Sequence, residues 1–251
     1  TRQLRRAIHA TIVRWPQFAY VEFRSAHDAI RRVSAHCLET RQLLRNQQRN
    51  VHQRAAQLPT FRTCGGIQLF LDIHRAFDAI PRQPLFDHLR SMPINQDLVS
   101  ILGSWHNETA YITQHDQISV ETATGCGIRQ GCRAAPVLWT AFTDLIFEAL
   151  SQEIASTWIQ KAVTLFADDI HCGDVFYSEW ELEQILCKFG ILLDVIERHG
   201  LTISLSKSMV LISIGGTNCR KVQARLLHRD DHGCFLFIPR ADGRQIGRAH
   251  V

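Results

Sequence analysis

The sequence predicts a mixed α+β fold, and three observations carry that expectation. Helix-period and strand-like segments alternate along the chain, with no internal repeat and no Gly-, Pro- or Ser-rich linker between them. Apolar residues make up 45 % and charged residues 21 % of 251 residues, the balance of a folded chain long enough for one large domain or two small ones. Two short apolar runs, Ile67 to Ile73 and Val163 to Ala167, both meet aspartate at their ends: Asp72 in the first, Asp168-Asp169 after the second.

The elements follow in order. Leu4, Ile8 and Ile12 recur at helical spacing among Arg2, Arg5 and Arg6. Ser25-Ala26-His27-Asp28 resembles an acidic capping box, and Ile30, Val33, Cys37, Leu44 and Val51 continue a long basic helix toward Pro59. Gly65-Gly66 introduces the buried strand around Ile67 to Ile73. Helical patterns follow at 83–91 and 95–106, then a hairpin at about 108–123. A helix rich in Ala, Leu, Ile and Phe is expected at about 131–155, and a second buried strand at 163–167. A long helix over 178–199 stops at Gly200, a C′ glycine. Short strands and a basic helix near 219–229 complete the reading.

Charge is distributed unevenly. The net +4 is too weak, taken over the whole chain, to imply a nucleic-acid partner. Residues 1–54, however, hold 11 Arg against Glu22, Asp28 and Glu39, a local +8, while the rest sums to −4. No run of 18 apolar residues and no apolar segment after the first arginines predicts a membrane span or a signal peptide, so the expected setting is intracellular. Eight cysteines without a C-x-x-C pair predict reduced thiols, with neither a structural zinc site nor a disulfide-linked partner. The chain starts on Thr1 inside a helix-like stretch, and Ile246-Gly247-Arg248-Ala249-His250-Val251 resembles the translation of a common sequencing adapter. Both ends are therefore read as cuts, and those six residues are left out of the fold reading as an adapter-derived artefact.

An aspartate at a strand end is commonly a turn residue. Three of them on two buried strands point elsewhere. If those strands pair, the carboxylates converge, and like charges that close are held together by cations. An all-oxygen set of this kind suits Mg²⁺, and two such ions clamp the attacking and leaving oxygens of a phosphoryl transfer.

Leu69-Phe-Leu-Asp-Ile-His-Arg-Ala-Phe-Asp78, Gly125-Cys-Gly-Ile-Arg-Gln-Gly-Cys132 with Pro136, Phe166-Ala-Asp-Asp169 and Gly200-Leu-Thr-Ile-Ser-Leu-Ser-Lys207 resemble, in order and spacing, palm motifs A, B, C and D of reverse transcriptases. The similarity is greatest to non-LTR (LINE-type) retrotransposon enzymes, with group II intron and retron enzymes as relatives. Pro16-Gln17-Phe18-Ala19-Tyr20, followed by Arg24-Ser25 and Asp28-Ala29-Ile30, resembles the element those families place upstream of motif A.

The resemblance implies a polymerase palm, a small antiparallel sheet of three to five strands backed by helices, with a helical remnant of the fingers. It divides the chain into partial fingers (1–60), palm (61–215), a partial palm/thumb connection (216–245) and the adapter-like tail (246–251). It implies RNA-templated addition of dNTPs to a DNA primer 3′-hydroxyl with two Mg²⁺, Mn²⁺ being the alternative. Asp72, Asp168 and Asp169 would be catalytic and, with the Ile73 carbonyl, would hold metal. Phe77 would lie beneath the sugar and exclude a 2′-hydroxyl. Gln130 and Gly131 would touch nucleotide and template, and Lys207 the triphosphate. Arg24, Arg31 and Arg32, with Arg41, Arg45, Arg49 and Arg54, would hold template phosphates by charge. Asp78 reads as a structural hydrogen-bonding residue, and the five tryptophans as packing. Arg133-Ala134-Ala135 before Pro136 departs from the family's usual Pro-led run. A different class of reading is an inactive nucleic-acid-binding remnant or a maturase-like RNA-binding module; an RNA-dependent RNA polymerase is disfavoured by Phe77.

Overall fold

In the computed structural model, residues 2–47, 60–107, 109–116, 118–129, 131–231, 233–241, 243 and 248–250 are described. The core strand β1 (Cys64–Leu71) runs antiparallel to β6 (Asp169–Phe176) on one side and to β8 (Met209–Gly215) on the other. Strand β5 (Val163–Phe166) pairs with β6 at the edge. The sheet is larger than the expected three to five strands. Beyond β8 the sheet continues through β11 (Arg248–His250), β10 (Gly233–Leu236) and β9 (Leu227–Asp230), giving seven strands in the order β5-β6-β1-β8-β11-β10-β9 among the described residues.

Strand β1 is buried on both faces because helices cover both. Side chains alternate along a strand, so Gln68 faces α2 (Ala26–Gln47), touching Cys37, while Ile67, Leu69 and Leu71 enter the main core. That core is closed by α6 (Ala135–Glu153) and α8 (Glu179–Arg198). Helix α6 is buried on almost every side, lying against α1 (Arg2–Ile12), α4 (Arg82–Ser91) and α8. The stripe of Leu4, Ile8 and Ile12 read from the sequence is the buried face of α1.

The helix ends obey local chemistry. Asn95 caps α5 (Gln96–His106) by accepting from the Asp97 and Leu98 amides, and Ser178 caps α8 by accepting from Glu181 N–H. At the far end of α8, Gly200 N–H donates to Glu197 O and Leu201 N–H to Ile196 O, the paired bonds of a Schellman turn. The hairpin of β3 (Thr109–His115) and β4 (Ile118–Thr124) also forms as expected.

Two helix boundaries are corrected, and two elements are added to the reading. Helix α6 starts at Ala135, not 131, since Pro136 supplies a fixed φ in the first turn. A separate short helix, α7 (Ser156–Ala162), occupies the stretch before β5, because Ile154 takes an extended conformation and ends α6. The basic helix near 219–229 is α9 (Cys219–Leu226), with 227–230 turned into β9. The backbone of Arg248–His250, in the tail left out of the fold reading, pairs with β8 in parallel and touches β10 at Phe235. Of the long basic helix, the part from 48 to 59, with Arg49 and Arg54, lies outside the described residues.

Candidate active site

The register of β1 with β6 decides the site. Leu71 is paired with Ile170, so Asp72, the next residue, stands across from Asp169. Asp168 lies in the two-residue turn between Phe166 and Asp169, where Ala167 takes a φ of 54°. Asp72 is thus brought to the same end of the sheet as the adjacent pair Asp168 and Asp169, about a hundred residues later in the chain. Partial burial, then the charges of Asp168 and Asp72, push the Asp169 carboxyl above the usual carboxylate range. The same field reaches Tyr20, whose phenol is raised by burial first and by Asp168 second.

Lys207 answers that charge. Its Nζ is 3.5 Å from Asp72 Oδ2, although the lysine itself is well exposed. The turn that carries it is tied to the Asp72 backbone: Ser204 N–H donates to the Asp72 carbonyl (2.8 Å), and Asp72 N–H donates to Ser208 Oγ (3.2 Å), which in turn donates to Ser204 O. Ile73 begins β2 (Ile73–His74), which pairs with β7 (Thr202–Ile203). Carbonyls alternate in direction along a strand, so with the Asp72 carbonyl engaged by Ser204, the Ile73 carbonyl points away from β7. Ser208 is buried and was missed in the sequence, where a serine after a lysine carries no signal.

A cavity of about 520 Å³ opens beside the acids between α2 and the sheet, lined by Ala29, Ile30, Val33, Phe70 and Phe166, with Asp72, Asp169 and Lys207 also contributing to its wall. Among the described residues no set of three or more His, Cys, Asp or Glu side chains closes into a ready-made metal cage. The donor set nonetheless fits a divalent cation: oxygen-only carboxylates brought to one end of the sheet favour a bound positive charge between them.

The segments resembling motifs A and B are locked together. Ile128 N–H donates to Phe77 O and Gly127 N–H to Ile80 O, both at 2.8 Å. Gly127 has a φ of 84°, and a Cβ there would sit 2.6 Å from the Asp78 carbonyl oxygen, so only glycine permits the contact. Arg82 donates to the carbonyls of Thr124, Cys126 and Gly127, fixing the same loop. Gly131 takes a φ of 78° with open space around it, and Gln130 lies outside the described residues. Phe77, on α3 (Ala76–Ala79), is half-buried and stacks on Trp139 with ring centroids 5.0 Å apart.

The three arginines separate. Arg24 donates to the carbonyls of Val13, Trp15 and Gln17, clamping the segment whose Phe18 N–H and Pro16 O pair with Leu165 of β5. Arg32 donates to Thr164 Oγ1 and to the carbonyls of Gln160, Lys161 and Val163, covering the C-terminus of α7. Burial lowers the pKa of both guanidinium groups. Their donors are engaged by backbone, so the structure turns these two inward, contrary to the expected phosphate contact; Arg31, Arg41 and Arg45 are exposed.

The sequence pattern of the family described as "Reverse transcriptase (RNA-dependent DNA polymerase)" matches residues 2–229. No curated protein matches the chain. Among solved structures, apo telomerase from Candida tropicalis, truncated from its C-terminal domain, is similar in fold at a TM-score of 0.53 and 11 % identity, over 84 % of this chain and 40 % of that one. Candida tropicalis telomerase in complex with a fragment of telomeric RNA gives 0.54 and 10 %, over 84 % and 33 %. The chain thus spans well under half the length of these structures. With the family pattern covering most of the chain, it belongs to the reverse transcriptase (RNA-dependent DNA polymerase) family.

Proposed function

We propose that this chain is the palm of a retroelement reverse transcriptase of the non-LTR type, adding dNTPs to a DNA primer 3′-hydroxyl on an RNA template inside the cell. The observation that carries the reading is the meeting of Asp72, on the central strand, with Asp168 and Asp169, on the turn of the neighbouring hairpin, under the ammonium of Lys207. The domain division into fingers remnant (1–60), palm (61–215) and thumb connection (216–245) belongs to the same reading.

Asp72 and Asp168 would hold two Mg²⁺, with Asp169 assisting and the Ile73 carbonyl completing a shell. When bound, such ions activate the attacking hydroxyl and stabilise the pyrophosphate leaving group. Lys207 would exchange its contact with Asp72 for the triphosphate. Phe77, held at a fixed height by its stack on Trp139, would meet the sugar face and exclude a 2′-hydroxyl. The exposed Arg31, Arg41 and Arg45 of α2 would follow template phosphate.

The test is primer extension on an RNA template by the full-length protein with Asp168→Asn. Loss of extension by at least a hundredfold, with template binding retained, is the expected result. Extension equal to that of the unsubstituted protein refutes the catalytic assignment. Template binding by an unsubstituted protein that extends nothing with Mg²⁺ or Mn²⁺ establishes the non-catalytic RNA-binding alternative.

A further inference from the structure

Trp139 makes two contacts that no packing role requires. Its ring is fully buried in the first half of α6, with no exposed surface. Its indole Nε1–H donates to the carbonyl oxygen of Ala167 at 2.8 Å. Its face lies on Phe77 at 5.0 Å between centroids and 25° between planes. One side chain therefore joins the turn that presents Asp168 and Asp169 to the aromatic that would border the sugar.

Each contact falls on a group that needs support. Ala167 is a non-glycine residue at a positive φ of 54°, a strained conformation that persists only where surroundings enforce it. As one of two residues between Phe166 and Asp169, it determines where the Asp168 carboxylate is aimed. Phe77 sits on α3, a helix of only four residues preceded by Arg75, itself at a φ of 48°. So short a helix has little rigidity of its own, and the stack against a ring anchored in the 19-residue α6 supplies it. Trp139 itself is held from behind, its ring tilted on Phe142 at 6.3 Å.

We infer that Trp139 is a positioning residue of the polymerase site, setting the carboxylate turn through its N–H and the sugar-facing Phe77 through its ring. The inference rests on the proposed polymerase function. The two contacts are chemically separable, and their loss has different consequences. Removing the N–H alone releases the Ala167 carbonyl and disturbs the carboxylates, which serve deoxy- and ribonucleotides alike. Removing the ring releases Phe77, which affects the choice between them.

The experiment uses single-nucleotide extension on an RNA template by the full-length protein, comparing kcat/KM for dNTP and rNTP. At Trp139, 3-benzothienylalanine introduced by codon reassignment replaces N–H by sulfur and keeps the bicyclic ring. It is expected to lower extension of both nucleotides about tenfold, roughly the loss of one buried hydrogen bond, with their ratio unchanged. Trp139→Leu removes both contacts and is expected to reduce the dNTP-over-rNTP preference about fivefold as well. Trp139→Met, closer to the parent in volume and likewise without a ring, stands in for it should the leucine variant fail to fold, with the same fall in preference expected. A Trp139→Leu protein that loses rate while keeping the parent's ratio has a packing defect only and overturns the inference, as does a benzothienyl protein with the parent's rate. Asp168→Asn run alongside separates the two levels: if it too extends normally, the site reading itself has failed.

Discussion

Arg32→Ala distinguishes a structural cation from a template-binding one. The guanidinium donates to Thr164 Oγ1 at 3.1 Å, to Lys161 O at 2.9 Å, to Val163 O at 3.0 Å and also to Gln160 O. These carbonyls lie at the last turn of α7 and its junction with β5, where helix geometry leaves them without intrahelical partners, and Thr164 is buried. Hydrogen bonds from a charged donor contribute about 1.5–3 kcal/mol each when buried. Arg32 is only half-buried, so the whole set is worth about 3 kcal/mol. For 251 residues, an unfolding entropy of about 2.1 cal/mol/K per residue converts that loss into a Tm lower by about 6 °C. The assay is thermal denaturation by circular dichroism, together with RNA affinity measured over a range of salt. A phosphate contact gives the opposite signature: an unchanged Tm and a slope of log K against log salt reduced by about 0.7 for single strands. That signature is expected of Arg31→Ala, on the exposed side of the same helix. Finding it for Arg32→Ala, with Tm unmoved, refutes the inward assignment.

Two further outcomes are open to measurement. Burial and the neighbouring positive charges of His36 and Arg32 bring His171 down to about 3 from an ordinary 6.5. The folded state keeps it neutral while the unfolded state takes up a proton, so stability is unaffected above pH 6.5 and falls as pH drops from 6.5 toward 3. At pH 5 the cost is about 2 kcal/mol, and His36, lowered chiefly by burial, adds to it in the same direction. Urea denaturation at pH 7.5 and pH 5 should show that decline in the parent and a smaller one in His171→Gln; equal declines count against the assignment. Ser208→Ala removes the hydroxyl that joins the Asp72 amide to the Ser204 carbonyl. A stability loss of about 1–2 kcal/mol is expected, with slower extension at unchanged RNA affinity, and parental kinetics would show that Asp72 needs no such anchor.

Much of the site was legible before any fold was known, because its residues are sequence-local. Asp72 with Phe77, Asp168 with Asp169, and Gly200 through Lys207 are short motifs, each written within one turn or one strand end. Element types with strong periodicity or terminal signals were legible too: the stripe of α1, the Gly200 stop of α8, and the two apolar strands. What was not legible depends on partners remote in the chain. The short helix α7 was not read at all, because seven residues carry too little periodicity to disclose a helix whose apolar face is decided by packing against β5 and β6.

Charge shows the division most clearly. The sequence alone determined that the first 54 residues are strongly basic, that acids stand at two strand ends, and that the chain belongs with polymerases. Only the tertiary structure decided which arginines point inward, since the carbonyls that take Arg24 and Arg32 are exposed or covered according to how α2 lies across β5 and α7. It decided likewise that Trp139 touches both Ala167 and Phe77, which stand 28 residues after it and 62 before it in the chain. Local patterns follow from backbone geometry over a few residues; the choice of partner for a long side chain follows from packing, which no segment determines by itself.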